Sequence, residues 1–199
     1  MAVLCARIFI DFWNLQLSIN ERTAPDYRLD WKALSAHLIA ATEAILGETL
    51  KFEGTNIYLS YAPGTGKDKK LRHWATTVLD GFPGVRVVAK ERKAKSPPIC
   101  PSCHLPVENC PHCGEQMRGT VEKGIDTAIV TDMISLAWED AWDVAILVTS
   151  DRDFIPTVEF LTTKGRRIIN ARFPPKGAHL ARTCWASVDL GQHLAALAR

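Results

Sequence analysis

One short stretch decides the fold of this chain: VTSDRDF, residues Val148–Phe154. An apolar run, Val144–Thr149, ends inside it and predicts a buried strand, and Asp151 and Asp153 follow where neutral turn residues are more usual. Further apolar runs alternate with segments of helical periodicity, a pattern typical of a parallel sheet covered on both faces. The sequence therefore predicts one α/β domain over residues 1–199, with three layers and a mainly parallel sheet of about five strands between helices.

The predicted elements follow the chain in alternation. The strands are expected at Ala6–Asp11, Thr55–Tyr61, Val85–Ala89, Val144–Thr149 and Arg167–Ala171. The helices are expected at Trp31–Leu46, Lys69–Leu79, Asp126–Glu139 and Ile155–Lys164. The glycine-rich residues 62–70, APGTGKDKK, are expected to form an exposed loop.

The composition indicates a globular protein that folds without disulfides. With 199 residues, 47% of them hydrophobic and 23% charged, the chain is long enough to bury a sizeable core. No run approaches the ~18 apolar residues of a membrane span. The apolar N-terminal stretch contains Arg7 and Asp11 and lacks a small-residue cleavage site, which favours a buried strand over a signal peptide. We therefore expect a cytoplasmic protein with no membrane partner.

The charges are unevenly distributed, although the net charge is only +2. Residues 64–95 contain nine Lys or Arg and three Asp or Glu, so the rest of the chain is net acidic. One region can therefore face a polyanion while another concentrates acid. The alternative is an ordinary solvated surface.

Four aspartates are expected at one edge of the sheet. Asp11 ends the first strand, Asp151 and Asp153 follow the fourth, and Asp126 opens a helix that descends from the same edge. Ligands bind beyond the carboxyl ends of parallel strands. Two such charges at about 4 Å repel by roughly 4 kcal/mol, so a cluster needs protons or a hard divalent cation. The alternative for each acid is that it only caps a helix or ends a strand in solvent.

Three blocks carry a resemblance to a known family: FIDFWNL (Phe9–Leu15), KGIDTAIVTDM (Lys123–Met133) and VTSDRDFIP (Val148–Pro156). In order and spacing they resemble the signature blocks of NYN domains, in the LabA-like branch of the PIN-like nucleases. The resemblance implies a compact, Rossmann-like α/β fold and Mg²⁺- or Mn²⁺-dependent hydrolysis of RNA phosphodiester bonds. Carried over by position, it implies an acidic metal site with Asn14 as a polar partner, the acids being Asp11, Asp126, Asp151 and Asp153.

Three positions within the blocks need separate comment. Asp132 also matches the family pattern, but it shares a helical face with apolar residues, so it must find a buried partner and is expected to support the site from behind. Phe12 stands where the family often has a small residue, and Ser150 where it often has glycine. These two departures bear on substrate shape more than on metal binding.

The RNA partner, expected to be single-stranded, requires positive charge beside the acidic edge. The candidate contacts are Lys67, Lys69, Lys70, Arg72, Lys90, Arg92, Lys93, Lys95, Lys123 and Arg152. His104 and Arg118 are further candidates. For Lys123 and Arg152, which lie inside the blocks, a solvated side chain is an equally good interpretation.

The cysteine segment, residues 97–118, interrupts the α/β pattern. Cys100, Cys103, Cys110 and Cys113 give a C-x2-C-x6-C-x2-C spacing, which matches tetrahedral zinc. Four protein ligands leave no open position, so we expect a structural zinc in a small ribbon or knuckle inserted in the domain. His104 and His112 are alternative ligands.

Other enzyme classes fit the sequence poorly. The GTGKD stretch lacks the first glycine and the Ser/Thr of a P-loop, no G-x-G-x-x-G follows a strand, and Trp13 stands where an aspartate-nucleophile phosphatase needs an acid. The competing interpretation is a non-catalytic RNA-binding or scaffold module of the same fold.

Overall fold

The computed structural model of the chain describes residues 3–62, 66–117 and 119–199. Its strands are β1 (Leu4–Asp11), β2 (Leu50–Tyr61), β3 (Val85–Glu91), β4 (Lys93–Ala94), β5 (Thr120–Val121), β6 (Val144–Val148), β7 (Arg167–Arg172) and β8 (Ala186–Asp189). Its α-helices are α1 (Phe12–Asn20), α2 (Trp31–Leu46), α3 (Gly66–Trp74), α4 (Ile125–Trp138), α5 (Ile155–Thr163) and α6 (Ala178–Thr183). A π-helical turn, Ala75–Leu79, continues α3.

The central sheet is parallel and runs in the order β3-β2-β1-β6-β7-β8. The α/β fold with a mainly parallel sheet flanked by helices is thus as predicted. The expected number of about five strands is wrong, because the described residues form six in this sheet. The additional strand is β8, a short edge strand of which only Val188 is buried, so its sequence lacks the continuous apolar run that revealed the others.

Two apolar layers cover the sheet. On one face the core is formed with α1, α2 and the π-helical turn, through residues that include Leu15, Leu34, Leu38 and Leu79. On the other face it is formed with α4, α5 and α6, through Ile129, Met133, Val158 and Leu180. In the described part of the chain, no helix has the length and apolar character needed to cross a membrane.

Three helical segments differ from the expectation. Helix α1 begins directly after β1 without a turn, because Asp11 accepts a hydrogen bond from the backbone N–H of Asn14 over 3.2 Å and caps it. Residues Gly66–Lys70 belong to α3 and not to an exposed loop, and Asp68 anchors this turn by accepting from the Ala62 N–H at 3.0 Å. Residues 63–65 of the expected loop lie outside the described residues. The short α6 was not predicted either.

A two-stranded antiparallel hairpin, β4 and β5, frames the cysteine segment. Lys93 pairs with Val121 and Ala94 with Thr120, and the Lys95 N–H donates to the Gly119 carbonyl over 2.8 Å. The chain thus leaves β3 into the segment and returns beside its point of departure. Arg118 lies outside the described residues.

Candidate active site

The candidate site lies where the strand order changes direction. β1 leads to β2 and β3 on one side and neighbours β6, β7 and β8 on the other, so the carboxyl ends of β1 and β6 flank the switch point of the sheet. Open parallel sheets bind ligands in the crevice at this point. Asp11 is the last residue of β1, and the turn with Asp151 and Asp153 follows β6.

Asp11 is a buried carboxylate, with 8% of the residue exposed. It accepts hydrogen bonds from the Asn14 N–H and from Thr149 Oγ1, the second over 3.3 Å. Burial, followed by the charges of Glu122 and Asp126, raises the pKa of Asp11 to about 6. The two hydrogen bonds therefore compensate the negative charge of Asp11 only in part, and a bound cation would supply the rest.

The other acids surround Asp126, which lies in the first turn of α4. Burial raises the pKa of Asp126, and the charges of Asp151, Glu122 and Asp153 raise it further. Asp151 also caps a short 3-10 turn by accepting from the Asp153 N–H over 2.9 Å. Asp11 and Asp151 therefore have two roles. Each caps a helical turn, and each also belongs to a cluster of carboxylates that repel one another.

The donor set of this cluster suits Mg²⁺ or Mn²⁺, which prefer carboxylate oxygens and water as ligands. Two of the carboxyl groups have raised pKa values partly because of their acidic neighbours, and a divalent cation relieves that repulsion. Across residues 3–62, 66–117 and 119–199, no three His, Cys, Asp or Glu side chains are already arranged as a coordination shell. The acids fit the ion by chemistry and electrostatics.

Two asparagines hold the turn that carries the last pair of acids. Asn14 Oδ1 accepts from the Ser150 N–H over 2.9 Å. Asn170 of β7 is fully buried and donates through Nδ2 to the carbonyls of Leu147 and Thr149, at 3.1 and 2.8 Å. Asn170 was missed from the sequence, although a polar residue inside the apolar run of β7 is a signal that could have pointed to it.

Glu122 is a fifth acid at the site that sequence reasoning missed. It follows β5 and accepts a hydrogen bond from Ser60 Oγ at the end of β2. Arg92 lies 3.8 Å from the Glu122 carboxylate, donates through Nε to Ser60 Oγ over 2.9 Å, and stacks 5.0 Å above the Trp13 ring. Glu122 stands one residue before the second signature block, and its position there was the available signal.

Asp132 finds the buried partner that its position required. Tyr58 Oη donates to Asp132 Oδ2 over 2.8 Å, and Asn56 Nδ2 donates to the same tyrosine oxygen over 3.2 Å. Burial is the main cause that raises the pKa of Tyr58, and the hydrogen bond to Asp132 adds to it. Asp132 thus joins α4 to β2 beneath the candidate site.

The predicted RNA contacts fall into two groups. The exposed group contains Lys67, Lys69, Lys70, Arg72, Lys93, Lys95, Lys123 and Arg152. Of these, Arg72 also covers the Tyr61 ring, with its Cζ 5.2 Å from the ring centroid. The half-buried group, Lys90 and Arg92, already contacts the protein: Lys90 Nζ donates to the Gly124 carbonyl over 2.7 Å, where α4 begins, and Arg92 contacts Ser60 and Glu122. These two residues position the acidic edge as well as adding positive charge to it.

The cysteine segment contains two turns of the same construction. In the first turn, the Cys100 N–H donates to the Leu105 carbonyl, and the His104 N–H donates to the Cys100 carbonyl. In the second turn, the Cys110 N–H donates to the Glu115 carbonyl, and the Gly114 N–H donates to the Cys110 carbonyl. His104 and Gly114 both have positive φ, at 57° and 72°. The segment is therefore an internal repeat that the sequence reasoning did not recognise.

Each turn lowers the pKa of one thiol. Backbone N–H groups of Cys103 and Ser102 lower the pKa of Cys100, and those of Cys113 and His112 lower the pKa of Cys110. Among the described residues the two turns do not form a common four-cysteine group. The chemistry of each turn suits zinc, and a shared site requires the two turns to approach each other.

The strand order and the carboxylate cluster define a parallel α/β protein with an acidic site at its switch point. The family model of the NYN domain matches residues 6–186, so this chain belongs to the NYN domain family, within the PIN-like nuclease superfamily. A crystal structure of a protein of unknown function from Vibrio parahaemolyticus is similar, with a TM-score of 0.53 and 18% identity over 94% of this chain and 93% of that one. No curated protein matches the sequence.

Proposed function

We propose that this protein is a metal-dependent ribonuclease of the LabA-like branch of the family. One observation carries the proposal: Asp11 is buried at the switch point, and burial, followed by the charges of Glu122 and Asp126, raises its pKa to about 6. Holding like charges together costs stability, and although Asp11 and Asp151 cap helical turns, capping alone does not require the acids to lie near one another. Such clusters are typical of sites that bind a cation and do chemistry.

The proposed roles follow from position. Asp11, Asp126, Asp151 and Asp153 would hold Mg²⁺ or Mn²⁺, and Asn14 positions the turn that carries the last two. The chemistry that such an ion would supply is polarisation of a phosphate and a lower pKa for a bound water molecule. Asp11, fixed by Thr149 and the Asn14 N–H, orients one face of the site. The exposed lysines of α3 and β4 would hold the RNA backbone that the acids repel.

The cysteine segment is proposed to bind structural zinc through Cys100, Cys103, Cys110 and Cys113. Its hairpin leads directly to Glu122, so ordering the segment would also steady one acid of the site. Through this connection, the zinc would stabilise the acidic site without taking part in the cleavage reaction.

The decisive experiment follows the cleavage of labelled single-stranded RNA by the purified protein in Mg²⁺, in Mn²⁺ and in excess EDTA. We expect cleavage with a divalent metal, none in EDTA, and at least a hundredfold loss in Asp151→Asn, because a metal ligand loses its charge at nearly constant volume. Glu159→Gln, exposed on α5, is the matched control and should retain activity.

The result can contradict the proposal in two ways. Equal cleavage in EDTA would refute the metal mechanism. RNA binding without cleavage in either metal would support the non-catalytic module instead.

A further inference from the structure

A cleft of about 870 Å³ lies along α1, the helix that Asp11 caps, and has no role in the proposed chemistry. Its walls are the exposed face of α1, with Gln16 and Asn20, and the aromatic side chains of Tyr27, Trp31 and Trp74. The volume falls in the usual range for sites that bind small organic groups. Its described lining includes Arg28 and Arg199 and no acidic side chain, in contrast to the carboxylate cluster.

The aromatic floor of the cleft is tied to the catalytic acid. Phe12, the residue after Asp11, stacks on Trp31 with ring centroids 5.7 Å apart and an angle of 11°. Trp74 meets Trp31 edge-on at 5.9 Å and lies 6.5 Å from Phe12. The large residue at position 12 therefore supports a rigid aromatic surface, and this gives the departure from the family pattern a physical reason.

The same row of rings leads back to the acidic site. Phe12 contacts Trp13 edge-on at 5.2 Å, and the guanidinium of Arg92 covers the Trp13 ring. Trp13 is fixed by the bond from its Nε1–H to the Ser60 carbonyl, 2.7 Å long. Helix α1 follows its N-cap Asp11 directly and advances about 1.5 Å per residue, so Gln16 lies roughly 8 Å along the axis from the acid.

The polar groups of the cleft suit the edge of a base. Gln16 Nε2 donates to Asn20 Oδ1 over 2.8 Å, and this bond holds the two amides side by side on α1. The arrangement leaves the Gln16 carbonyl oxygen as an acceptor and the Asn20 amino group as a donor, and both residues line the cleft. An adjacent acceptor and donor above an aromatic surface are the groups that read an unpaired base.

We propose that this cleft binds one unpaired nucleobase of a single-stranded RNA whose scissile phosphate lies at the carboxylate cluster. The proposal rests on the proposed function for the identity of the strand. Base stacking on Trp74, which Trp31 supports edge-on, would supply affinity, and the amides of Gln16 and Asn20 would supply preference among bases. Trp74 ends α3, whose exposed lysines approach the backbone of the same strand.

The test uses a series of short fluorescent oligoribonucleotides, each lacking the base at one position. Binding is measured without metal in the Asp151→Asn background, so that cleavage plays no part. In the parent protein, removal of one particular base should weaken binding about tenfold. In Trp74→Leu the same removal should have almost no effect, because the stacking partner is gone. Gln16→Ala/Asn20→Ala, on the surface of α1, gives a second variant should Trp74→Leu fail to fold.

The matched control is an exposed tryptophan outside the cleft. Trp138→Leu, 81% exposed at the end of α4, should keep the parental response at every position. If each missing base weakens binding equally in the parent and in the variants, the proposal that the cleft binds a base is overturned. This result would not contradict the proposed ribonuclease activity. A position-specific loss that disappears in the variants supports the cleft even if the protein cleaves no RNA.

Discussion

The Asn14 side chain accepts a hydrogen bond from the Ser150 N–H over 2.9 Å, so the first turn of α1 and the turn after β6 are joined at the candidate site. Asp11 begins α1 and Asp151 follows Ser150 directly. This bond therefore helps to set the spacing between acids that are far apart in the chain. It also gives Asn14 a positioning role that requires no contact with metal or RNA.

Asn14→Ala should reduce cleavage by about a hundredfold while lowering stability by only about 1 kcal/mol, since one hydrogen bond is lost and the acids shift. The comparison is kcat against the midpoint of urea unfolding. Thr163→Ala, which loses one exposed hydrogen bond at the end of α5, serves as the control for stability. A fall in cleavage no greater than the fall in folded protein would contradict the positioning role.

Asp11→Asn should stabilise the metal-free protein at pH 7. The pKa of Asp11 is about 6 in the fold against an ordinary value of 3.8, so the folded state binds more protons between these values. The contribution of Asp11 to the free energy of unfolding is fully present below about pH 4. It falls by about 3 kcal/mol in all as the pH rises through 6. Asparagine keeps the cap and remains neutral, so it removes this loss.

Thermal unfolding in EDTA at pH 4 and pH 7 measures the effect. The variant and the parent should agree at pH 4 and separate at pH 7, with the variant higher. A lower melting temperature for the variant at pH 7 would show that the carboxylate is compensated by groups within the protein.

Glu122→Gln should lower the pKa of both Asp11 and Asp126, because their pKa values are raised in part by its charge. The acid limb of the pH profile for kcat/KM should therefore move to lower pH. Glu139→Gln, exposed beyond the end of α4, changes the same charge far from the cluster. If the acid limb is identical in the parent, Glu122→Gln and Glu139→Gln, the Glu122 carboxylate does not act on the acids of the site.

The cysteine segment should bind about one zinc ion per chain through its four thiolates. Cys100→Ser should abolish most of the zinc and make residues 97–118 sensitive to protease, because a segment this short has almost no apolar core of its own. Elemental analysis and limited proteolysis measure the two effects, with Cys5→Ser on β1 as the control. Freshly purified, unchelated protein without zinc would disprove the prediction.

Lys69, Lys70 and Lys93 should contact RNA phosphates. Their replacement by alanine should weaken binding and reduce the slope of log affinity against log salt by about 2, at roughly 0.7 for each lost contact. Cleavage at saturating RNA should be spared. The triple variant Lys51→Ala/Lys164→Ala/Arg182→Ala carries the same change of charge on other surfaces, and an equal slope in the two triples would mean that these lysines are ordinary solvated surface.

The sequence predicted the parts of the fold that are continuously apolar. The runs at β1 and β6 located the central strands, and their terminal aspartates indicated the edge where the acids meet. Short elements such as β8 and α6 were missed because they bury only one or two side chains. Glu122 was missed for another reason: a hairpin brings it to the site, and pairing between residues almost thirty positions apart leaves no periodic trace in sequence.

That hairpin has a consequence for how the chain could have been assembled. Lys95 and Gly119 are hydrogen-bonded neighbours, so everything between them forms a closed excursion from the domain. A tight two-residue turn could bridge the same gap with little loss of backbone geometry. The segment is thus removable in principle, and this position is a natural acceptor site for grafted modules.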